Sequence, residues 1–186
     1  MADVTRRIVS FAGSSVRIDS MDEAASHLVA FLFDRLAQVE GPPPHAVLRV
    51  RAEDQSARTL HIDGELYCEV DSLGSLASAL LEQTLFRLSD RSTGGLLLHA
   101  AAVSRGSRCI LLPGTSGAGK SSLTAWLLKQ GFEYLTDELV YVPFGSLSVQ
   151  PFTRPLALKA SARGQLGADV VDFDGLGPQI LSSPDV

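Results

Sequence analysis

The sequence contains little of what disulfide-rich, zinc-binding, secreted or membrane-spanning proteins need. It has only two cysteines, Cys68 and Cys109, and each lies in a separate strand-like apolar run. Two thiols are too few for a disulfide framework or a zinc site, so we expect both to be small buried hydrophobic side chains. No run approaches the roughly eighteen apolar residues of a membrane-spanning helix, and residues 1–16 lack the long apolar core of a signal peptide. These absences predict a cytoplasmic protein without a membrane span.

Positive charge is also scarce. Lys and Arg number 16 against 21 Asp and Glu, which gives a formal net charge of −5. The basic residues are scattered along the chain rather than clustered, so nothing favours binding to nucleic acid or to an anionic membrane. Apolar residues make up 45% of the 186 residues and charged residues 20%, a balance that supports a globular core. This length suits one domain, or one domain with a small appendage.

Glycine, in contrast, is concentrated where it has a chemical use. The apolar run 109–112 predicts a buried strand, and Gly114 to Ser121 reads G-x-x-x-x-G-K-S before a helical pattern begins. Glycines let successive backbone N–H groups curl around phosphate oxygens, and the helix N-terminus adds its positive dipole. We predict that Lys120 reaches the β- and γ-phosphates and that the Ser121 hydroxyl binds Mg²⁺. The predicted nucleotide-binding residues, called the phosphate loop below, are Gly114, Thr115, Ser116, Gly117, Ala118, Gly119, Lys120, Ser121 and Ser122.

Residues 1–92 predict a small α+β region. A Ser20-x-x-Glu23 capping-box pattern opens a helix that is predicted to run to about Val39, and Asp63-Gly64 is a type I′ hairpin signal. The predicted strands are Ala46–Ala52, Arg58–Ile62 and Glu65–Val70, and a second helix is predicted over Leu73–Ser89. By position and elimination, we expect substrate recognition in this region.

Residues 93–186 predict an α/β core that carries the phosphate loop, with its C-terminal completeness left open. The apolar run Leu96–Val103 turns back into the strand before the loop, so an antiparallel hairpin is expected to lead into it. A helix is then predicted to about Gln130, followed by a strand over Phe132–Val142. Pro and Gly interrupt every run from Pro143 onward. The expected fold class is α/β with a mixed sheet.

Histidine 99 and an acidic pair are the candidates for chemistry. His99 lies in a wholly apolar run one strand from the loop, where an imidazole could hydrogen-bond the γ-phosphate or position the acceptor. The alternative is a satisfied core histidine. For Asp137 we expect the role of general base or orienter of an acceptor hydroxyl, and for Glu138 that of Mg²⁺ ligand, directly or through water. The alternative for both acids is a solvated strand edge.

The geometry of a strand limits what the acidic pair can do together. Successive strand side chains face opposite ways, so only one of Asp137 and Glu138 should point at the phosphates. Arg154 and Lys159 are the further basic candidates after this strand. They could supply positive charge to the transferred phosphate or to an acidic substrate, or could simply lie on the surface.

These features together resemble the catalytic core of the HPr kinase/phosphorylase family. They resemble more closely the HPr-kinase-related proteins of bacterial peptide-biosynthesis clusters, including those of lasso peptides. The resemblance rests on His99 in its apolar strand, the tight hairpin, the phosphate loop and the run from Gly131 to Glu138. It implies the fold shared with phosphoenolpyruvate carboxykinase, His99 near the transferred phosphate and Asp137 as the base. The family's second acid is usually Asp, and Glu138 has a longer reach.

The sequence is therefore interpreted as a kinase that uses ATP or GTP with Mg²⁺. Family members phosphorylate a serine hydroxyl on a protein or peptide, so the resemblance implies a peptide or small protein as the substrate. Two alternatives stay open: a nucleotide-binding regulatory module that does not transfer phosphate, and a small-molecule kinase with the same machinery. His99 and Asp137 favour transfer, because a module that only binds nucleotide has no need of them. Association into a homo-oligomer also stays open.

Overall fold

The computed structural model describes residues 4–36, 40–52, 57–115, 117–158, 170–171 and 179–181. These residues form three helices and a larger number of strands, so the predicted α/β class is confirmed. The chain divides into two compact units, of which the first runs to Gly94 and the second begins at Gly95; the sequence placed this boundary between residues 92 and 93. None of the described helices combines the length and apolar character that crossing a membrane requires.

The first unit is a five-stranded sheet with two helices. Its elements in chain order are β1 (Thr5–Phe11), β2 (Ser14–Ser20), α1 (Glu23–Phe33), β3 (Val47–Arg51), β4 (Arg58–Ile62), β5 (Glu65–Val70) and α2 (Leu73–Asp90). The strands lie side by side in chain order. β2 and β3 pair in parallel, because α1 carries the chain back to the start of the next strand, and the other pairs are antiparallel.

Helix α1 differs from its prediction at both ends. Its N-cap is Asp22 rather than Ser20, which is paired within the sheet. At the other end the helix stops at Phe33, well before the predicted end near Val39, a residue outside the described part of the chain. Arg7 donates to the carbonyl of Phe33 at 2.7 Å and pairs with Asp34, so a side chain from β1 takes up a terminal carbonyl and ends the helix.

Replacing Asp22 by alanine is expected to lower the free energy of unfolding by about 2–3 kcal/mol. The buried carboxylate accepts from Ala25 N at 2.7 Å and from Ala52 N at 2.9 Å, so the substitution leaves two backbone donors without their acceptor. Ser72, the half-buried N-cap of α2, accepts only from Ser75 N in its capping role, and its replacement by alanine should cost about 1 kcal/mol. Urea unfolding of both variants checks the difference, and equal losses would contradict the bridging role of Asp22.

The second unit is built around one long central strand. Its main sheet contains β6 (Gly95–Arg105), β7 (Arg108–Pro113), β8 (Glu133–Thr136), β9 (Leu139–Pro143) and β10 (Gln150–Pro151), and the helix α3 (Lys120–Lys129) follows β7. β6 and β7 form the predicted antiparallel hairpin, which leads directly into the phosphate loop. Three short strands, β11 (Leu156–Leu158), β12 (Val170–Val171) and β13 (Gln179–Leu181), form a separate sheet in the order β11-β13-β12.

The prediction of a mixed sheet is wrong for the second unit, because all of the described strand pairings in this unit are antiparallel. β7 pairs with one edge of β6, and β8 and β9 pair with the other. Helix α3 carries the chain from β7 across to β8, so these two strands run in the same direction but are separated by β6. Among the described strands, the parallel pair is β2 and β3 of the first unit.

The predicted strand Phe132–Val142 is in fact two strands, β8 and β9, which lie end to end along β6. Thr136 is opposite Ala102 and Leu139 is opposite His99, and the two residues between them form a bend. Thr136 Oγ1 accepts from Glu138 N at 3.2 Å, so a side chain replaces the ladder partner of that N–H group. The bend contains Asp137 and Glu138.

Small side chains let α3 pack closely on the centre of this sheet. Residues 100–103 of β6 are three alanines and a valine, all fully buried. Thr124 and Ala125 are the buried residues of α3, and the helix contacts β6. Because neither surface carries a large side chain there, the helix can approach the strand closely. This packing fixes the N-terminus of α3 beside the end of the β6–β7 hairpin.

Candidate functional site

The phosphate loop connects β7 to α3 with the backbone geometry of an anion cradle. Gly117 and Gly119 have φ angles of +84° and +87°, and nothing lies within 4 Å of where a Cβ would stand on either. Gly119 is the N-cap of α3, and no side chain caps the helix. The N–H groups of the first helical turn therefore remain available to an anion, which the helix dipole favours. Ser116, a predicted loop residue, lies outside the described part of the chain.

The side-chain nitrogen of Lys120 contacts neutral groups of the phosphate loop and of His99. Its Nζ donates to Gly114 O at 2.7 Å and to Thr115 O at 3.1 Å, and lies 3.2 Å from Nε2 of His99. Within the described residues it makes no ion pair. An ammonium with these dipolar partners has no ion pair to break when an anion binds in the loop.

His99 is not a core histidine, since its side chain is 48% exposed. Its two ring nitrogens contact different partners: Nε2 faces Lys120, and Nδ1 lies 3.4 Å from Oε1 of Glu138. A charged lysine can only donate, so Nε2 accepts and Nδ1 carries the proton that points to Glu138. The imidazole thus joins the phosphate loop to the acidic pair.

Both acids contact one nitrogen of Arg154. Nη2 lies 3.1 Å from Oδ1 of Asp137 and 2.9 Å from Oε2 of Glu138. Both side chains reach the same arginine because the pair lies in a bend and not in a pleated strand. The two carboxylates differ in exposure, at 2% for Asp137 and 32% for Glu138. Their surroundings therefore suit different roles.

Asp137 faces the start of α3. Ser121 Oγ lies 3.5 Å from its Oδ2, and the hydroxyl of Tyr134 donates to its Oδ1 at 3.0 Å. These contacts complete a closed polar network around the mouth of the loop. Its members in order of contact are Lys120, His99, Glu138, Arg154, Asp137 and Ser121, with Tyr134 attached at Asp137.

The network keeps its buried groups in defined charge states. Burial alone would lower the pKa of Arg154, but the negative charges of Asp137 and Glu138 and the hydrogen bond to Glu138 raise that pKa, so the guanidinium stays charged. Burial, followed by the negative charge of Asp137, raises the pKa of Tyr134 well above its usual value. The phenol therefore stays neutral and continues to donate its hydrogen bond.

The raised pKa of Tyr134 predicts a loss of stability at high pH. The unfolded chain ionises this phenol from about pH 10, whereas the folded chain does not until its higher pKa is reached. Between these two values the free energy of unfolding should fall by about 1.4 kcal/mol per pH unit from this residue alone. Denaturant unfolding of the wild type and of Tyr134→Phe from pH 9 upward isolates the contribution, and parallel pH profiles would contradict it.

Sequence reasoning identified most of this site but not all of it. Lys120, Ser121, His99, Asp137, Glu138 and Arg154 come together, whereas Lys159 lies outside the described residues. Tyr134 was missed. An aromatic residue in a strand is usually part of the core, and nothing in the local pattern marks this one as the partner of a carboxylate.

The residues around Ser121 fit a magnesium ion. Mg²⁺ prefers oxygen ligands and is usually held by one or two carboxylates together with substrate phosphates. The 3.5 Å between Ser121 Oγ and Asp137 Oδ2 is slightly more than the roughly 3 Å that separates neighbouring ligands of octahedral Mg²⁺. The phosphates would lie in the adjacent cradle, next to Lys120. Ser121 and Asp137 would therefore be the best-placed pair to hold such an ion.

The site combines an anion cradle, a positioned ammonium, a hydroxyl–carboxylate pair and a second, more exposed carboxylate. All of its described members belong to the second unit. Comparisons with protein-family models, with curated proteins and with solved structures find no match for this chain.

Proposed function

We propose that this protein is a Mg²⁺- and nucleotide-dependent kinase that transfers the γ-phosphate of ATP or GTP to a serine hydroxyl of a peptide or small protein. The observation that carries the proposal is the polar network. It brings two carboxylates, a histidine and an arginine to the Lys120-Ser121 step of the phosphate loop. A loop that only binds nucleotide needs its cradle, lysine and metal site, but not a second carboxylate joined to a histidine.

The loop and α3 bind the phosphates. Backbone N–H groups at the start of α3 donate to phosphate oxygens, and Lys120 Nζ moves from the loop carbonyls to the β- and γ-phosphates. Ser121 and Asp137 would hold Mg²⁺, which would neutralise negative charge on the bound phosphates. Tyr134 and Arg154 keep the side chain of Asp137 oriented for this role.

The geometry favours an exchange of the roles that the sequence suggested for the two acids. Asp137 is buried, hydrogen-bonded by Tyr134 and adjacent to Ser121, so its oxygens are not accessible to an acceptor. Glu138 is more exposed and faces His99, which in turn contacts Lys120. We therefore assign the general-base role to Glu138 and the metal role to Asp137.

The transfer step then follows from these positions. The serine hydroxyl gives its proton to Glu138 as its oxygen attacks the γ-phosphorus, and the bond between that phosphorus and the β–γ bridging oxygen breaks. The nucleoside diphosphate leaves, with its charge stabilised by Lys120 and the loop N–H groups. His99 contacts both Lys120 and Glu138, and so keeps the base beside the phosphate.

A transfer assay tests the proposal. The full chain would be incubated with γ-labelled ATP or GTP, Mg²⁺ and a library of serine-containing peptides, with nucleotide affinity measured in parallel. Label on serine supports the kinase. Tight nucleotide binding without transfer to any acceptor would instead support a regulatory module, and transfer only to small hydroxyl compounds would support a small-molecule kinase.

A further inference from the structure

One face of the sheet in the first unit carries four arginines on three adjoining strands. Arg6 in β1 is directly opposite Asp19 in β2, and Asp19 is directly opposite Arg49 in β3. Directly opposed residues share a face, and so do residues two apart along a strand. Arg17 and Arg51 therefore lie on the same face. We call Arg6, Arg17, Arg49 and Arg51 the basic face.

The acidic residues of this face do not balance its arginines. Asp19 is almost fully buried beneath two of them, with Arg17 Nε at 2.9 Å and Arg49 Nε at 3.8 Å from its carboxylate. Glu69 in β5 lies in the row of Arg51, since both are paired with Thr59. Arg6 and Arg51 are exposed and make no ion pair with any described residue. The face thus keeps a positive excess on a chain whose net charge is −5.

The spacing of the basic face matches an extended polypeptide. Residues two apart on a strand are separated by about 7 Å, and neighbouring strands by about 4.8 Å. Alternate side chains of an extended peptide have the same 7 Å repeat, so acidic residues at alternate positions of a ligand can meet Arg49 and Arg51. The protein would need little rearrangement to bind such a peptide, because the arginines project from paired strands of the sheet.

Exposed aliphatic side chains border the arginines on both sides. Ile8 is opposite Arg17, and Leu66 is opposite His61, the cross-strand partner of Arg49. Both aliphatic side chains are 56% exposed. A cavity of about 460 Å³ adjoins Ile8, and its described lining includes Leu36, Glu40 and the prolines 42–44. The surface therefore offers contacts for apolar residues next to the acidic ones.

We propose that the basic face docks an acidic, extended segment of the polypeptide that carries the acceptor serine. The choice of this occupant rests on the kinase function proposed above. It also rests on the surface itself, because the described residues of this face include no Phe, Tyr or Trp on which nucleic-acid bases could stack. Aliphatic borders and the acids Asp19 and Glu69 suit a mixed acidic and apolar peptide better than a polyphosphate.

Fluorescence anisotropy of the full chain without nucleotide tests the docking. The probes are a labelled nine-residue peptide that alternates Glu and Val, its Gln-for-Glu counterpart and a labelled oligothymidylate. We expect the acidic peptide to bind at least about tenfold more tightly than the Gln peptide at low salt, and Arg6→Glu/Arg51→Glu to remove that advantage. The matched control Arg91→Glu/Lys129→Glu makes the same charge change on exposed residues elsewhere and should retain binding.

Three outcomes would overturn the proposal. They are equal binding of the Glu and Gln peptides, equal loss in the control variant, and tighter binding of the oligothymidylate that the same two substitutions remove. Neither Arg6 nor Arg51 has an ion pair to lose among the described residues, so the Arg6→Glu/Arg51→Glu variant should fold. The milder Arg49→Gln/Arg51→Gln variant gives a second test of whether peptide affinity depends on these arginines. Because this assay contains no nucleotide, retained peptide binding without phosphoryl transfer would reject the kinase function alone.

Discussion

Replacing Lys120 by alanine is expected to lower the rate of phosphoryl transfer by about 10³-fold, or roughly 4 kcal/mol of transition-state stabilisation. Lys120 Nζ lies at the mouth of the phosphate loop, and its present partners are two carbonyls and an imidazole. Without this ammonium, the metal and the backbone N–H groups would have to stabilise the negative charge on the transferred phosphate. Nucleotide affinity should also fall, since in the proposed mechanism the ammonium contacts the phosphates before transfer.

A matched control lies in the same helix. Lys129, in the last turn of α3, is exposed and should tolerate alanine with no change in transfer. Comparing kcat and KM of both variants with γ-labelled nucleotide gives the result. If Lys120→Ala kept transfer within about tenfold of the wild type, the phosphate loop would not be the catalytic anion site.

Replacing Asp137 by asparagine is expected to lower transfer by about 10³-fold and to raise the Mg²⁺ concentration needed for half-maximal activity. The amide keeps the shape of the side chain but removes the charge that pairs with Ser121 and Arg154. Arg154 keeps Glu138 as a partner, so we expect the protein to fold with a loss of about 2–3 kcal/mol in the free energy of unfolding.

Comparing Asp137→Asn with Glu138→Gln separates the roles of the two acids. Glu138→Gln should lower kcat by a similar factor but leave the Mg²⁺ requirement near that of the wild type. Glu133, an exposed carboxylate of β8 that accepts from Ser104 Oγ, lies outside the network, and Glu133→Gln should have no effect on transfer. A Mg²⁺ requirement that changes with Glu138 and not with Asp137 would restore the roles that the sequence suggested.

The sequence predicted the elements that have strong local signals. The strands Arg58–Ile62 and Glu65–Val70 were predicted with the bounds that the structure shows, because Asp63-Gly64 both marks the turn and adopts the positive φ angles of a type I′ hairpin. The hairpin into the phosphate loop followed from two apolar runs and a short turn. The start of α3 at Lys120 followed from the loop motif itself.

Long-range contacts explain what sequence reasoning missed. The early end of α1 depends on Arg7, which is 26 residues away from Phe33 in the chain. The bend at Asp137 and Glu138 depends on Thr136 and on Arg154, which a periodicity analysis does not connect. The arginines of the basic face are scattered in the sequence, and only the strand register brings them onto one surface.

A single-turnover assay tests phosphoryl transfer, the central step of the kinase proposal, directly. Enzyme in excess over γ-labelled nucleotide, with Mg²⁺ and a serine-containing acceptor peptide, should place the label on the serine, and the same peptide with alanine in place of that serine should receive none. Asp137→Asn and Lys120→Ala should each lower the rate by about 10³-fold. Label that remains on the nucleotide, or that appears only as inorganic phosphate, while nucleotide binds tightly to the wild type would contradict phosphoryl transfer as the function of this site.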